Sequence, residues 1–221
     1  MPDRAHTTAL QELRDDPSSR KQFLRRIGGG AAAATLTAAL AACGSKKPAG
    51  NQFGGAGVGT AVYGQGDAGI VNYALALEYL ESDFYRLAVA SGKLKGRALE
   101  LAKRFGAEER NHVTTLEGTV KSLGGTPTPH PKSSFTLDSP GTILSTMYQL
   151  EQLGANAYLG QADRIQSKQV LAAALAIHSV EARHAAVIST MLGRPISPEG
   201  PFARPATSVD VVQGIRPFIT A

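Results

Sequence analysis

Apolar residues recur at intervals of three and four in a run that begins near Ile70 and continues through Tyr73, Ala74, Leu77, Leu80, Phe84 and Leu87, the spacing of a helix with one buried side. The run stops near Ser91 and Gly92, where a glycine can take the left-handed turn that closes a helix. A second run extends from about Leu94 to Leu123 and ends at Gly124 and Gly125. The third starts near Ser139, whose side chain can cap the first free amides, with Pro140 behind it already holding a helical φ; it continues to about Ile165. A fourth occupies roughly Ser167 to Leu192 and stops at Gly193, with Pro195 just beyond. Each run is about 25 residues, roughly 37 Å of helix.

The connections are unequal, and that decides the topology. A few residues join the first helix to the second and the third to the fourth, so each pair is an antiparallel hairpin. Between the second and third lies GTPTPHPKSSFTLDS, whose prolines favour extended backbone. At about 3.3 Å per residue this segment reaches roughly 50 Å, enough to run the length of a bundle. The pattern therefore predicts an all-α fold, a four-helix bundle over residues 67–193 with one long crossover between helices 2 and 3. In the Pro-rich tail, residues 194–221, the positions Val209, Val212, Ile215 and Phe218 predict a short C-terminal helix laid on the bundle, with no chemistry assigned to it.

Residues 1–42 do not fit the bundle. A basic stretch, SRKQFLRR, precedes an Ala-rich apolar run from Ile27 to Ala42, the layout of an export signal and too short and too weakly apolar for a membrane span. Leu40, Ala41, Ala42 and Cys43 resemble the lipobox of bacterial lipoproteins, which implies cleavage before Cys43, lipidation of that residue and anchoring to a membrane of the bacterial cell envelope. As Cys43 is the sole cysteine, a disulfide within the chain is excluded. Ser19 to Leu24 resembles a twin-arginine signal with Lys21 in place of the second arginine, and the Gly- and Ala-rich core favours that route over the general one. Residues 43–66, rich in Gly, Ala and Lys, read as a flexible tether. The net charge of +5 falls to +3 once the leader is removed. No basic run interleaved with aromatics follows, so nucleic-acid binding has no support.

The candidate chemistry lies in a repeat. LEYLESDFY followed by EERNHV matches LEQLGANAY followed by EARHAAV about seventy residues later. Each half offers a Glu, a Tyr seven residues on, and then a Glu and a His three apart: Glu78, Tyr85, Glu109 and His112, then Glu151, Tyr158, Glu181 and His184. Residues three or seven apart share a helix face, and here that face is otherwise Leu and Ala. Burying four carboxylates without counter-charge is prohibitive, whereas two divalent cations would neutralise them. Carboxylate and imidazole donors suit iron or manganese, with zinc also compatible. His112 and His184 would each give one nitrogen to one ion, and Tyr85 and Tyr158 would stand behind the ligands, able to hydrogen-bond a carboxylate or donate an electron. Glu81, three residues after Glu78, has Gly154 as its repeat partner and reads as a solvent-facing or supporting residue. Glu108 points about 100° away from Glu109 and is expected to be exposed. His178 is expected in the core or at the surface, and neither His130, in the crossover, nor His6 has a ligand-like context.

These residues resemble the ferritin-like superfamily, and more narrowly the exported bacterial ferritin-like domain proteins related to desiccation-associated proteins of plants. The resemblance spans about Asp67 to Leu192 and rests on LEYLESDFY, the AYLG after Glu151, the paired Glu-x-x-His segments and the Pro-rich tail. It implies a ferritin-like bundle holding two Fe ions, or Mn or a mixed Fe/Mn pair, with Glu78 and Glu151 at one metal each and Glu109 and Glu181 bridging both. It further implies ferroxidase or peroxide-consuming activity, with O2 or peroxide as the small-molecule substrate, in a stress response. A non-catalytic stress or scaffold protein with a structural metal or none is the alternative, and a homodimer is compatible with either.

Overall fold

The computed structural model describes residues 62–220. The export signal, Cys43 and most of the tether expected above lie outside the described residues, as does His6.

Four long helices form the bundle: α1 (Gly66–Ala90), α2 (Gly96–Ser122), α3 (Pro140–Gln161) and α4 (Lys168–Met191), with a 3-10 turn at Ala162–Arg164 between the last two. A short helix, α5 (Ser208–Ile215), and a 3-10 turn at Arg216–Phe218 complete the tail. Among the described residues there is no strand, only one isolated bridge between Ser133 and Ile219. Gly92, Gly124 and Gly193, the three stop signals, all have φ near +70°, so the left-handed turn is where the sequence put it. Ser139 caps α3 by accepting from the Thr142 amide at 3.1 Å, as its position before Pro140 predicts.

The crossover dictates how the hairpins meet. Asn72 fixes its start, donating to the Thr126 carbonyl at 2.9 Å and accepting from the Thr128 amide at 2.8 Å. Further on, His130 stacks on Tyr79 with ring centroids 4.3 Å apart, and its Nε2 lies 3.1 Å from Asp83. Phe135 then meets Phe84 edge-on at 5.1 Å. The segment thus travels along α1 from its first turns towards its last and delivers α3 to the far end, which makes α3 antiparallel to α1. With the crossover on its outer side, α1 is covered all round: 16 of its 25 residues are buried, against six of 27 in α2. This is why α1 is apolar beyond the stripe that a surface helix needs.

The tail does for α3 what the crossover does for α1. The Ala206 amide donates to the Asn156 carbonyl at 2.9 Å, and Val211 and Ile215 of α5 are buried. Of the face expected to meet the bundle, Ile215 is buried and Phe218 packs against the core, whereas Val209 and Val212 are 40% and 37% exposed and Val211 takes the inward place on α5. Beyond α5 the chain pairs with the crossover, Ser134 donating to the Phe218 carbonyl at 2.9 Å and Thr220 to that of Lys132 at 3.0 Å.

Candidate metal centre

Midway along the bundle each long helix turns carboxylates inward. Glu78 of α1, Glu109 of α2, Glu151 of α3 and Glu181 of α4 are all fully buried. His184 is 4% exposed, and the His112 side chain 13%. Both imidazoles present Nδ1 to the cluster. His112 Nδ1 lies 2.9 Å from Glu109, 3.2 Å from Glu78 and 3.3 Å from Glu181. His184 Nδ1 lies 3.1 Å from Glu151 and 3.2 Å from Glu109. The donors fall into two groups, Glu78, Glu109, His112 and Glu181, and Glu109, Glu151, Glu181 and His184; within each, the ligand atoms lie within 4.8 Å of one another. Glu109 and Glu181 belong to both groups, the pair that the resemblance makes bridging.

The tyrosines are exchanged between hairpins. Tyr158 of α3 donates to Glu78 Oε1 at 2.5 Å, and Tyr85 of α1 donates to Glu151. Each phenol therefore steadies the carboxylate that the other hairpin contributes. Burial, reinforced by the neighbouring carboxylates, pushes both phenols well above their ordinary range, so they remain protonated donors. Tyr85 can lie this close to α2 because Gly106 faces it; a β-carbon there would meet Tyr85 Cβ at 2.8 Å.

Burial and mutual repulsion raise the carboxylates. Glu78 is pushed up to about 7, first by burial and then by Glu109, while Glu151 and Glu181 also rise. Glu109 goes the other way: burial would raise it, but the hydrogen bond from His112 and the nearby imidazole of His184 outweigh that and hold it at about 2. Burial alone would lower the imidazoles, yet their carboxylate partners raise both, His184 to about 10. Each imidazole thus turns Nδ1 to the carboxylates.

The imidazoles leave several carboxylate atoms unserved. Glu109 Oε1, both oxygens of Glu181 and Glu81 Oε2 are buried without a hydrogen-bond partner, the short approaches of His184 and His112 to Glu109 Oε1 and Glu181 Oε1 lacking hydrogen-bond geometry. Unpartnered buried carboxylate oxygens are costly, and those of Glu109 and Glu181 belong to the two residues that the donor groups share. Cations seated in the groups would satisfy them, so the residues present fit a pair of metal ions.

Two residues are placed otherwise than the sequence reading expected. Glu81 is 3% exposed and belongs to the cluster; burial, then the charge of Glu181, raises it well above the usual carboxylate range. Its room comes from its repeat partner. A β-carbon on Gly154 would lie 2.8 Å from Glu81 Oε1 and 3.0 Å from Glu181 Oε2, so the absence of a side chain on α3 makes space for a fifth carboxylate. Glu108 is not free at the surface. It accepts from His184 Nε2 at 2.6 Å and from Arg104 Nε at 3.1 Å, reaching from α2 across to α4 and fixing the imidazole with Nδ1 inward. His178 stays outside the cluster with Nδ1 on the Ala155 carbonyl at 2.9 Å, and His130 is held on Tyr79 and Asp83, as expected of both.

No curated protein matches the chain. A family model described as a ferritin-like domain matches residues 66–194, the four helices and the whole cluster, which is more than half of the chain. The protein belongs to the ferritin-like domain family.

Proposed function

We propose that the domain holds two metal ions, iron in the first place and manganese or a mixed pair as the alternative, and oxidises Fe²⁺ with O2 or peroxide as a protective activity of the cell envelope. The observation that carries this reading is the pair of buried donor groups sharing Glu109 and Glu181. Glu78, Glu109, His112 and Glu181 would hold one ion, and Glu109, Glu151, Glu181 and His184 the other. Bound iron would supply the one-electron chemistry that reduces the oxidant. The chain's own part is to orient and to exclude water. Tyr158 and Tyr85 fix the outer carboxylates, Glu108 fixes His184, and Leu77, Leu80 and Leu150 cover the cluster on the α1–α3 side. Each tyrosine donates its proton towards a carboxylate able to take it, which also places these phenols to give up an electron with the proton passing to Glu78 or Glu151.

Export and lipid anchoring through Cys43 rest on the basic leader and the LAAC sequence, and kinship with desiccation-associated proteins rests on the phrases quoted above. Metal analysis of the folded protein, with Fe²⁺ oxidation followed by absorbance, tests the central reading. About two irons per chain with rapid oxidation are expected; Glu109→Ala is expected to lose both ions and His184→Ala the one ion of its own group, and each to lose the oxidation. Two ions without turnover would assign the metal a structural role, and a chain that takes up none would refute the proposal. For the anchor, Cys43→Ala is expected to leave the membrane fraction for the soluble one; retention with membranes would sink it.

A further inference from the structure

Within each hairpin the helices lie tightly together, but α2 and α4 barely touch, and between them opens a cleft of about 570 Å³. That volume is the size of a small-molecule site. His112 and His184 line it, so the cleft reaches the side of the cluster opposite to their Nδ1 atoms.

Three arginines line it as well: Arg97 and Arg104 from α2 and Arg183 from α4. Arg104 is tied through Nε to Glu108, and Arg183 through Nε to the Ser179 carbonyl at 2.9 Å. Each tie occupies Nε and leaves the terminal amino groups without a partner among the described residues, and such groups can make paired hydrogen bonds to a carboxylate or phosphate. The one carboxylate in the lining, Glu108, is already divided between Arg104 and His184. Between the charges the wall is apolar, made by Leu101, Phe105, Val180 and Val187. Cationic groups above an apolar wall are complementary to an anion with a hydrocarbon or aromatic body, and they oppose entry of free metal cations by this route.

We propose that this cleft binds an organic anion, an apolar body with a carboxylate or phosphate headgroup, and brings it to the histidine side of the Glu/His centre. As a substrate site it rests on the metal-centre reading above; as a binding site it stands on the cleft alone. Calorimetric titration of the full chain, metal-free and metal-loaded, with octanoate, octyl phosphate and octan-1-ol tests it. The anions are expected to bind at least about tenfold more tightly than the alcohol, and Arg97→Gln with Arg183→Gln to remove most of that margin. The two anions distinguish a carboxylate from a phosphate headgroup. Circular dichroism of the double variant, whose changed side chains are both exposed, verifies that it folds. Equal affinity for anions and alcohol, or anion affinity unchanged in the variant, would overturn the proposal. A variant that changes metal affinity alone would likewise overturn it, showing that the arginines only offset the charge of the cluster. Anion binding in a chain that takes up no metal would refute the metal centre and leave the cleft standing, whereas normal metal loading without anion preference would do the reverse.

Discussion

The two hairpins bring the same side chains, two Glu, a His and a Tyr each, to the centre and differ in much of what surrounds them. In the first, α1–α2, neither helix has a side-chain cap; in the second, α3–α4, Ser139 and Ser167 cap both. The first hairpin carries Glu81 where the second has Gly154, and Glu108 where the second has Val180. As a result one histidine has a carboxylate behind it and the other does not. His184 is gripped by Glu108 at Nε2 and stacked on Phe105 at 3.8 Å, while the residue corresponding to Glu108 on the other side, Val180, cannot accept a hydrogen bond. A duplicated ligand set therefore does not make a symmetric site. The donors nearest the cluster retain the repeat because two cations would require it, whereas the residues behind them are free to diverge and make the two positions unequal.

The largest effect should separate shared donors from unshared ones. Glu109→Ala and Glu181→Ala each touch both groups and are expected to abolish binding of both ions, whereas Glu78→Ala or Glu151→Ala is expected to lose one ion and keep the other. Metal stoichiometry of the four purified variants decides this. If all four lose both ions, the two groups act as one indivisible site and the distinction between them fails.

A smaller effect should expose the inequality itself. Glu108→Gln weakens the acceptor behind His184 and leaves His112 unchanged, so the affinity of one ion only should fall, by about 10- to 100-fold. Competitive titration with a metal-sensitive dye resolves the two steps. Equal weakening of both steps would mean that Glu108 acts through the general field of the cleft and not through its histidine.

The buried Glu/His cluster was legible in the sequence because its members obey helix geometry: a Glu-x-x-His pair shares a face whatever surrounds it, and its recurrence on a second hairpin singled that face out. So were the stop signals, since Gly92, Gly124 and Gly193 sit where the chain must turn left-handed. Glu108 was misread because angle on its own helix says nothing about a partner on another. It points away from Glu109, but α4 lies near enough for its carboxylate to reach His184. On α5 Ile215 was placed inward correctly, but Val209 and Val212 were chosen over Val211 because a helix of eight residues offers too few turns to fix its phase.

Glu81 carried a signal that the repeat itself obscured. Lacking a glutamate as counterpart, it looked incidental, yet a glycine inside a helix costs about 1 kcal/mol relative to alanine and needs a reason. Gly154 and Glu81 are complementary in space, and this gives the finest test of the comparison. In the native chain Gly154→Ala gains helix propensity but drives a methyl against Glu81 Oε1 and Glu181 Oε2, overpacking that typically costs about 1–3 kcal/mol, so a net loss of stability is expected. In a Glu81→Ala background the closer obstruction is gone, and the same change should approach neutrality or stabilise by up to about 1 kcal/mol. Urea denaturation of the wild type, both single variants and the double variant reads the coupling directly. If Gly154→Ala has the same effect in both backgrounds, Glu181 alone sets the limit on that surface, and the vacancy on α3 was not shaped by the additional carboxylate of α1.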